Sequence, residues 1–392
     1  MTISRTIKKH LVTSSWIRKM FEEGKKRKEQ FGPDNVFDFS LGNPCLEPPA
    51  RFNEVVHALI DDKTPGQHGY MPNAGFETVR QKIAAYLSNL YAKNFTASDI
   101  IMTVGAGGAL NVVFKTFFDH DDEVILLSPY FTEYDFYLDN HMAIPVVVGT
   151  KPDFGLDPEI ISNAITDRTR AVLINSPNNP TGRVYTEKEL IELADVLMYH
   201  SNRLGRPILL ISDEPYRKIV YDGIIPPDIF DIYQELIVVT SFSKDLSLAG
   251  ERIGYIAVHH DITDKDEIMA GMIFSNRVLG YVNAPALMQR AVSYLLDETV
   301  DVSIYQRKRD LLYNSLVSFG YEIVRPQGAF YLFPKTPVDD VEFVNALRNE
   351  NILTVPGSGF GGPMYFRIAY CVPDRTIEMS LPGFERVFNR YA

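Results

Sequence analysis

The chain has 392 residues, 39 Lys+Arg against 50 Asp+Glu and a formal net charge of −11. Apolar residues make up 45%, charged ones 23%, and Gly and Pro number 25 and 24, which excludes a disordered, collagenous or low-complexity chain and leaves room for about two domains with a large core. The acidic balance argues against a nucleic-acid partner, the two cysteines, Cys45 and Cys371, cannot build a disulfide framework, and no apolar run reaches the roughly 18–20 residues that span a bilayer.

Residues 1–21 carry Arg5, Lys8, Lys9, Arg18 and Lys19, and the first acid is Glu22. That composition is weakly like an organelle transit peptide. Arg is not dominant and no cleavage signal follows, so the segment reads as an N-terminal arm and the protein as cytoplasmic. Residues 16–30 read as one charged helix, in which Lys25-Lys26-Arg27-Lys28, between Glu22, Glu23 and Glu29, is a solvated face. Gly32-Pro33-Asp34 reads as a turn. Phe76, Val79, Ile83, Leu87 and Leu90 recur at spacings of three and four and predict one apolar helix face.

Six short runs follow, over 100–104, 124–127, 171–175, 208–212, 236–240 and 254–258. They are mostly apolar on both faces, as in a buried parallel sheet. The helical patterns between them make an α/β domain with right-handed crossovers. From about residue 286 a long helical pattern runs through Leu296 toward Leu316. Short strands are predicted around 321–324 and 329–333, then a helix near 341–349. This part suits a smaller α+β domain built from both chain ends. The expected division is 1–47 for the arm and part of the small domain, 48–288 for the large domain and 289–392 for the rest of the small one.

Ligands of open α/β sheets bind beyond the carboxyl ends of the strands. After the first run comes Gly105-Ala106-Gly107-Gly108, opening a helix whose N–H groups and dipole suit a phosphate. Leu110 stands where a dinucleotide fingerprint needs its third Gly, and no Gly-Lys-Ser/Thr makes the turn a P-loop. The next run ends in Ser128-Pro129-Tyr130-Phe131, and the third in Ser176-Pro177-Asn178-Asn179-Pro180-Thr181-Gly182. Then come Asp213-Glu214-Pro215-Tyr216 and Ser241-Phe242-Ser243-Lys244, with Arg252 beyond. Each feature alone has an ordinary use: Asp213 as an N-cap, the Asn-Pro segment as a turn, Lys244 on the surface, Phe131 in the core. Together they gather donors, a carboxylate, a phenol, an amine and a guanidinium at successive strand ends. The eight His show no metal-ligand spacing, so no metal is expected, and Gly357-Ser358-Gly359 is not a nucleophile elbow.

The order and spacing of these segments resemble the pyridoxal-phosphate-dependent aminotransferases of class I/II, fold type I. The resemblance is also carried by Ser40-Leu41-Gly42-Asn43-Pro44, Gly69-Tyr70 with Gly75 and Arg80, and Arg252-Ile253-Gly254-Tyr255. Pro326-Gln327-Gly328-Ala329-Phe330-Tyr331-Leu332, Val355-Pro356-Gly357-Ser358 and Phe366-Arg367-Ile368 extend it, over about residues 16–390. It implies a mostly parallel, seven-stranded type of sheet, a smaller α+β domain, and pyridoxal 5′-phosphate as cofactor.

By this resemblance Lys244 forms the internal Schiff base with the cofactor aldehyde, and its free amine later moves the proton between the substrate α-carbon and C4′. Asp213 faces the pyridine nitrogen and keeps the ring electron-withdrawing. Tyr216 and Asn179 bond the ring 3′-oxygen, and Phe131 stacks on the ring, with Tyr130 the alternative one residue away. The N–H groups of Ala106 and Gly107, the Ser241 hydroxyl and the Arg252 guanidinium meet the phosphate. Tyr70 reaches the phosphate of a second subunit, which implies a homodimer with shared active sites. Arg367 clamps the substrate α-carboxylate, with Gly42, Asn43 and Asn179 on the substrate side.

The implied reaction carries an amino group from an α-amino acid to a 2-oxo acid through a ping-pong cycle of the cofactor's aldehyde and amine forms. Aspartate-type members add a second cation for the side-chain carboxylate. The two subgroup positions for it fall on Val278, beside Arg277, and on Gly107, and neither is charged. An unpaired buried carboxylate costs several kcal/mol, so the reading favours a neutral or aromatic first substrate. A β-eliminating C–S lyase of the same fold, using the same lysine, aspartate and arginine, is the alternative.

Overall fold

Strands whose residues are apolar on both faces need cover on both, and that requirement sets the architecture. In the computed structural model, which describes residues 3–13 and 16–392, the strands in chain order are β1 Phe37–Asp38, β2 Ile100–Thr103, β3 Glu123–Ser128, β4 Ile144–Gly149, β5 Thr169–Asn175 and β6 Leu209–Asp213. They continue with β7 Leu236–Ser241, β8 Gly254–Val258, β9 Tyr331–Leu332, β10 Ile352–Leu353, β11 Val355–Pro356 and β12 Phe366–Ala369. Seven of them form one sheet in the order β2-β8-β7-β6-β5-β3-β4. The neighbours from β7 to β4 pair in parallel. β8 runs antiparallel to both β2 and β7.

The reversal of β8 is what makes the sheet mostly, rather than wholly, parallel, as expected. Between β7 and β8 the chain makes only a 3₁₀ turn, Ala249–Glu251, and no crossover helix. Neighbouring strands without a crossover pair antiparallel. The start of β8 therefore lies at the edge where the other strands end. β4 is the strand absent from the six runs. It is an edge strand, carries Pro145, and is mostly half-buried, so its pattern is not that of a central strand.

Two apolar layers cover the sheet. One contains Val79, Ile83, Leu87, Leu193, Leu197 and Leu210, and the other Leu110, Val113, Leu126, Ile237 and Ile256. The helix Glu77–Tyr91 buries Val79, Ile83, Ala84, Leu87 and Tyr91 but leaves Leu90 exposed, so the predicted stripe departs from the core at its last member. A third cluster joins Phe39 to Phe330, Tyr331, Phe366 and Phe384. Here the two chain ends meet. β1 pairs in parallel with β10, and β12 lies between β11 and β9 in a three-stranded sheet.

The long helical pattern after residue 286 is two helices, Ala286–Val292 and Val302–Ser318. The second starts at Asp301, whose side chain accepts from the Ser303 N–H. The strand predicted at 321–324 does not form. Tyr321 is apolar core there: its ring packs on Phe343, Phe366, Phe384 and Phe388. The N-terminal segment contains the helices Arg5–Thr13 and Trp16–Phe31. His10 Nε2 lies 2.8 Å from Asp139 Oδ2, and its ring meets Phe136 edge-on. The remaining arm positions, 1, 2, 14 and 15, lie outside the described residues. Among the described residues, no helix is long and apolar enough to cross a membrane.

The sheet closes tightly where the site begins. A Cβ at Gly254 would lie 2.3 Å from the Thr240 carbonyl oxygen and 3.0 Å from the Gly105 Cα, both backbone atoms. Gly254→Ala is expected to destabilise the protein by about 1–3 kcal/mol. The measurement is the urea midpoint at unchanged m, and an unchanged midpoint would show that the strand end yields freely.

Candidate active site

The carboxyl ends of β2, β3, β5, β6 and β7 and the start of β8 surround a cavity of about 270 Å³, completed by residues of the three-stranded sheet and the segment after β1. At one end Gly105, with φ +77°, turns the chain from β2 into the helix Gly105–Phe117. The N-cap, Val104, supplies no side-chain cap, so first-turn N–H groups are left for a ligand. Arg252 reaches over this turn. Its Nη2 donates to the Val104 carbonyl at 3.3 Å and its Nη1 to that of Ala249 at 3.1 Å. Ser241, from the end of β7, lines the same cavity.

Asp213 ends β6 and is buried. Its Oδ2 accepts from the Tyr134 hydroxyl at 2.6 Å, whereas Oδ1 is buried with no partner. Its carbonyl accepts from Asn175 Nδ2 at 2.8 Å, and Asn175 Oδ1 accepts from the Asn179 N–H at 2.7 Å. Burial pushes the carboxyl pKa up to about 7, with the Tyr134 hydrogen bond pulling the other way. Lys244 lies beyond β7. Its Nζ donates to the Gly42 carbonyl at 2.8 Å and stands 5.6 and 5.9 Å from the rings of Phe330 and Tyr216. Burial lowers its pKa to about 8, helped by the charges of Arg367 and Arg252. Desolvation thus brings an acid and an amine, from opposite sides, close to neutral pH.

Arg367, on β12, is buried and hydrogen-bonds only neutral groups. It donates to Asn179 Oδ1 at 3.0 Å and to the Ser40 carbonyl at 2.6 Å, and its Nε has no partner. Its guanidinium carbon lies over the rings of Tyr331 and Phe360, 4.7 Å from each centroid. Among the described residues no carboxylate pairs with it. A buried cation without a counter-ion is a site for an anion.

The structure brings Lys244, Asp213, Tyr216, Asn179, Phe131, Ala106, Gly107, Ser241, Arg252, Arg367 and Gly42 to this one cavity. Tyr130 turns away, its hydroxyl donating to the Asp135 carboxylate. Asn43 and Tyr70 are not part of the wall. Asn43 is exposed, and Tyr70 is 96% exposed on the single chain. Arg277 is also outside it, exposed and 5.2 Å from the Phe274 ring. The cavity wall also contains residues to which the sequence assigned no role, among them Tyr134, Tyr137, Asn175 and Tyr331. The first two carried a signal, since three residues apart on the short helix Glu133–Asp139 they share a face. Elsewhere His259, His260 and Asp261 bring ligand atoms within 4.8 Å of one another, but both ring nitrogens of His259 are engaged by backbone groups.

Fold and site together define an α/β protein with a cavity at its strand ends, between a glycine turn at a helix start and a buried carboxylate. The chain belongs to the aminotransferase class I and II family, whose model matches residues 34–381. It is 32% identical to an aspartate aminotransferase of Bacillus sp. (strain YM-2), over 90% of this chain and 91% of that one. It is 29% identical to aromatic-amino-acid aminotransferase 2 of Thermococcus litoralis, over 97% of each chain. Among solved structures, an aminotransferase from Eubacterium rectale superposes with a TM-score of 0.96 at 39% identity, covering 100% of this chain and 99% of that one. A Thermus thermophilus aspartate aminotransferase with maleate gives 0.86 at 27% identity, covering 99% and 100%. The protein is a pyridoxal-phosphate-dependent aminotransferase. The residues present fit that cofactor: the unpartnered Oδ1 of Asp213 suits a protonated ring nitrogen, and the uncapped helix start beside Arg252 suits a phosphate.

The raised pKa of Asp213 has a consequence for stability. Without cofactor the folded state holds this proton up to about pH 7, against 3.8 for an ordinary Asp. The group's contribution is then full at low pH and is lost as the pH rises through its folded value. Cofactor-free Asp213→Asn should therefore gain stability over cofactor-free wild type between pH 5 and pH 8, by an amount on the order of a few kcal/mol. Denaturant melts at the two pH values measure it, and a constant difference rejects the burial argument.

Proposed function

We propose that the protein is a transaminase that moves an amino group from an α-amino acid to a 2-oxo acid in two half-reactions, with a neutral or aromatic amino acid as first substrate. The observation that carries this reading is one cavity that gathers the half-buried Lys244 with the buried Asp213 and Arg367. When bound, pyridoxal 5′-phosphate supplies an aldehyde that keeps the amino group between the half-reactions and a ring that accepts the electron pair left by the α-proton.

Lys244 Nζ would be the covalent anchor of the cofactor and, as a free amine, would take and return the α-proton. A pKa lowered to about 8 by burial suits both duties. Asp213 Oδ1, which has no partner of its own, would accept from the ring nitrogen and favour its protonated form. Tyr216 and Asn179 hold the 3′-oxygen, and Phe131 covers the ring face. Ala106, Gly107, Ser241 and Arg252 take the phosphate. Arg367 takes the α-carboxylate in a charge-assisted pair worth about 1.5–3 kcal/mol per hydrogen bond.

The substrate preference rests on the charges of the cavity. Its cations are Lys244, Arg252 and Arg367, and each already has a duty. Phe131, Tyr137 and Tyr331 offer aromatic wall instead. The relatives are named for aspartate and for aromatic amino acids, so they support amino transfer without choosing between these donors. In single-turnover spectra, phenylalanine or tyrosine should convert the holoenzyme at least about tenfold more efficiently than aspartate, a difference of roughly 1.4 kcal/mol. A faster aspartate reaction overturns the preference. Release of pyruvate and thiol from cystathionine without amino transfer would favour the lyase.

The active unit is a homodimer in which Tyr70 reaches the partner's phosphate site. The side chain's exposure on the single chain supports this. Lys244→Ala should bind the cofactor noncovalently and lose turnover, and Tyr70→Phe should bind it more weakly. A hybrid of the two variants then contains one intact site and regains activity. Turnover by Lys244→Ala rejects the anchor, and a hybrid no better than its parents rejects the shared site.

A further inference from the structure

Tyr331 is more than aromatic wall: it touches both Tyr216 and Arg367. Its hydroxyl lies 2.7 Å from that of Tyr216. Its ring face carries the Arg367 guanidinium at 4.7 Å. The register of the small sheet explains the second contact: Tyr331 on β9 stands opposite Ala369 on β12, and Arg367, two residues before Ala369, shares that face. The first contact is held by packing. Tyr216 meets the Phe330 ring edge-on at 5.4 Å and the Tyr331 ring at 5.7 Å.

The position leaves the ring no slack. A Cβ at Gly42 would lie 2.0 Å from the Tyr331 hydroxyl oxygen, so only glycine lets the chain pass it. The same Gly42 offers its carbonyl to Lys244 Nζ. Tyr331 is thus wedged between the segment that receives the lysine, the phenol of Tyr216 and the cation of Arg367. Both phenols are kept protonated by burial. One proton lies between the two oxygens, and the other is left to serve a third partner.

We propose that Tyr331 is a positioning residue with two separable parts: its hydroxyl orients Tyr216 toward the cofactor's 3′-oxygen, and its ring holds Arg367 in place for the substrate carboxylate. The inference rests on the roles proposed for Tyr216 and Arg367 and adds to them. The hydroxyl part predicts an effect on the cofactor's surroundings, and the ring part an effect on carboxylate affinity. One substitution removes the first alone, and another removes both.

The experiment uses holoenzyme and two readouts besides turnover. The first is the pH midpoint of the visible absorption band, and the second is the affinity for 3-phenylpropionate, a carboxylate with no amino group. Tyr331→Phe should raise the midpoint by at least about 0.5 pH unit and leave the carboxylate affinity within about twofold. Tyr331→Leu should also weaken the carboxylate by about fivefold or more, from loss of the cation–π contact. Tyr331→Met, which keeps volume without a ring face, is read in the same way should the Leu variant not fold. An unmoved midpoint in Tyr331→Phe, or equal carboxylate affinity in all the variants, overturns the proposal. Failure of the underlying roles has a different signature: Tyr216→Phe leaves the midpoint unmoved, or Arg367→Lys leaves the carboxylate affinity unchanged, and this inference then falls with them.

Discussion

Lys244, Asp213 and Arg367 share one cavity, and among the described residues none of the three has an ion-pair partner. Lys244 has only a carbonyl, Arg367 an amide oxygen and a carbonyl, and Asp213 a phenol on one oxygen and nothing on the other. Burying charge in this way opposes folding, and an apolar core would be more stable there. The surrounding structure has to hold these groups in place until ligands complete them. The arrangement trades stability for a site whose acid and amine are poised near neutral pH.

The topology supplies what that trade demands. Parallel strands bring their carboxyl ends to one edge, and the single reversed strand, β8, brings its start to the same edge, so Arg252 joins Asp213 and Lys244 without a long loop. The other wall comes from both chain termini. Ala369 N–H donates to the Phe39 carbonyl, and β1 pairs with β10, which carries Gly42 and Ser40 to the side where Arg367 and Tyr331 emerge. A ligand in the cavity would therefore touch segments more than 300 positions apart in the chain.

Contacts of that kind separate the legible part of the site from the rest. Residues that end a buried strand were readable, because an apolar run announces the strand and its next residues must face the ligand edge. Asp213, Ser241 and the Gly105 turn are of this type. Tyr134 and Asn175 act on Asp213 through side-chain hydrogen bonds, and no periodicity encodes which polar groups meet across separate crossovers. Asn43 marks the opposite case: it neighbours Gly42 in a matching motif, yet it faces solvent while Gly42 lines the cavity.

The amino-acid sequence alone determined the α/β class, the run of strand ends that carries the lysine, carboxylate and arginines, and the family resemblance. These follow from local periodicity and residue order. Only the tertiary structure decided the reversal of β8, the place of edge strand β4, the split of the long helical pattern and the non-strand course near Tyr321. It also decided which neighbours each buried charge has. Those outcomes depend on pairing and burial between distant segments, whose energies come from contacts that no stretch of chain contains by itself.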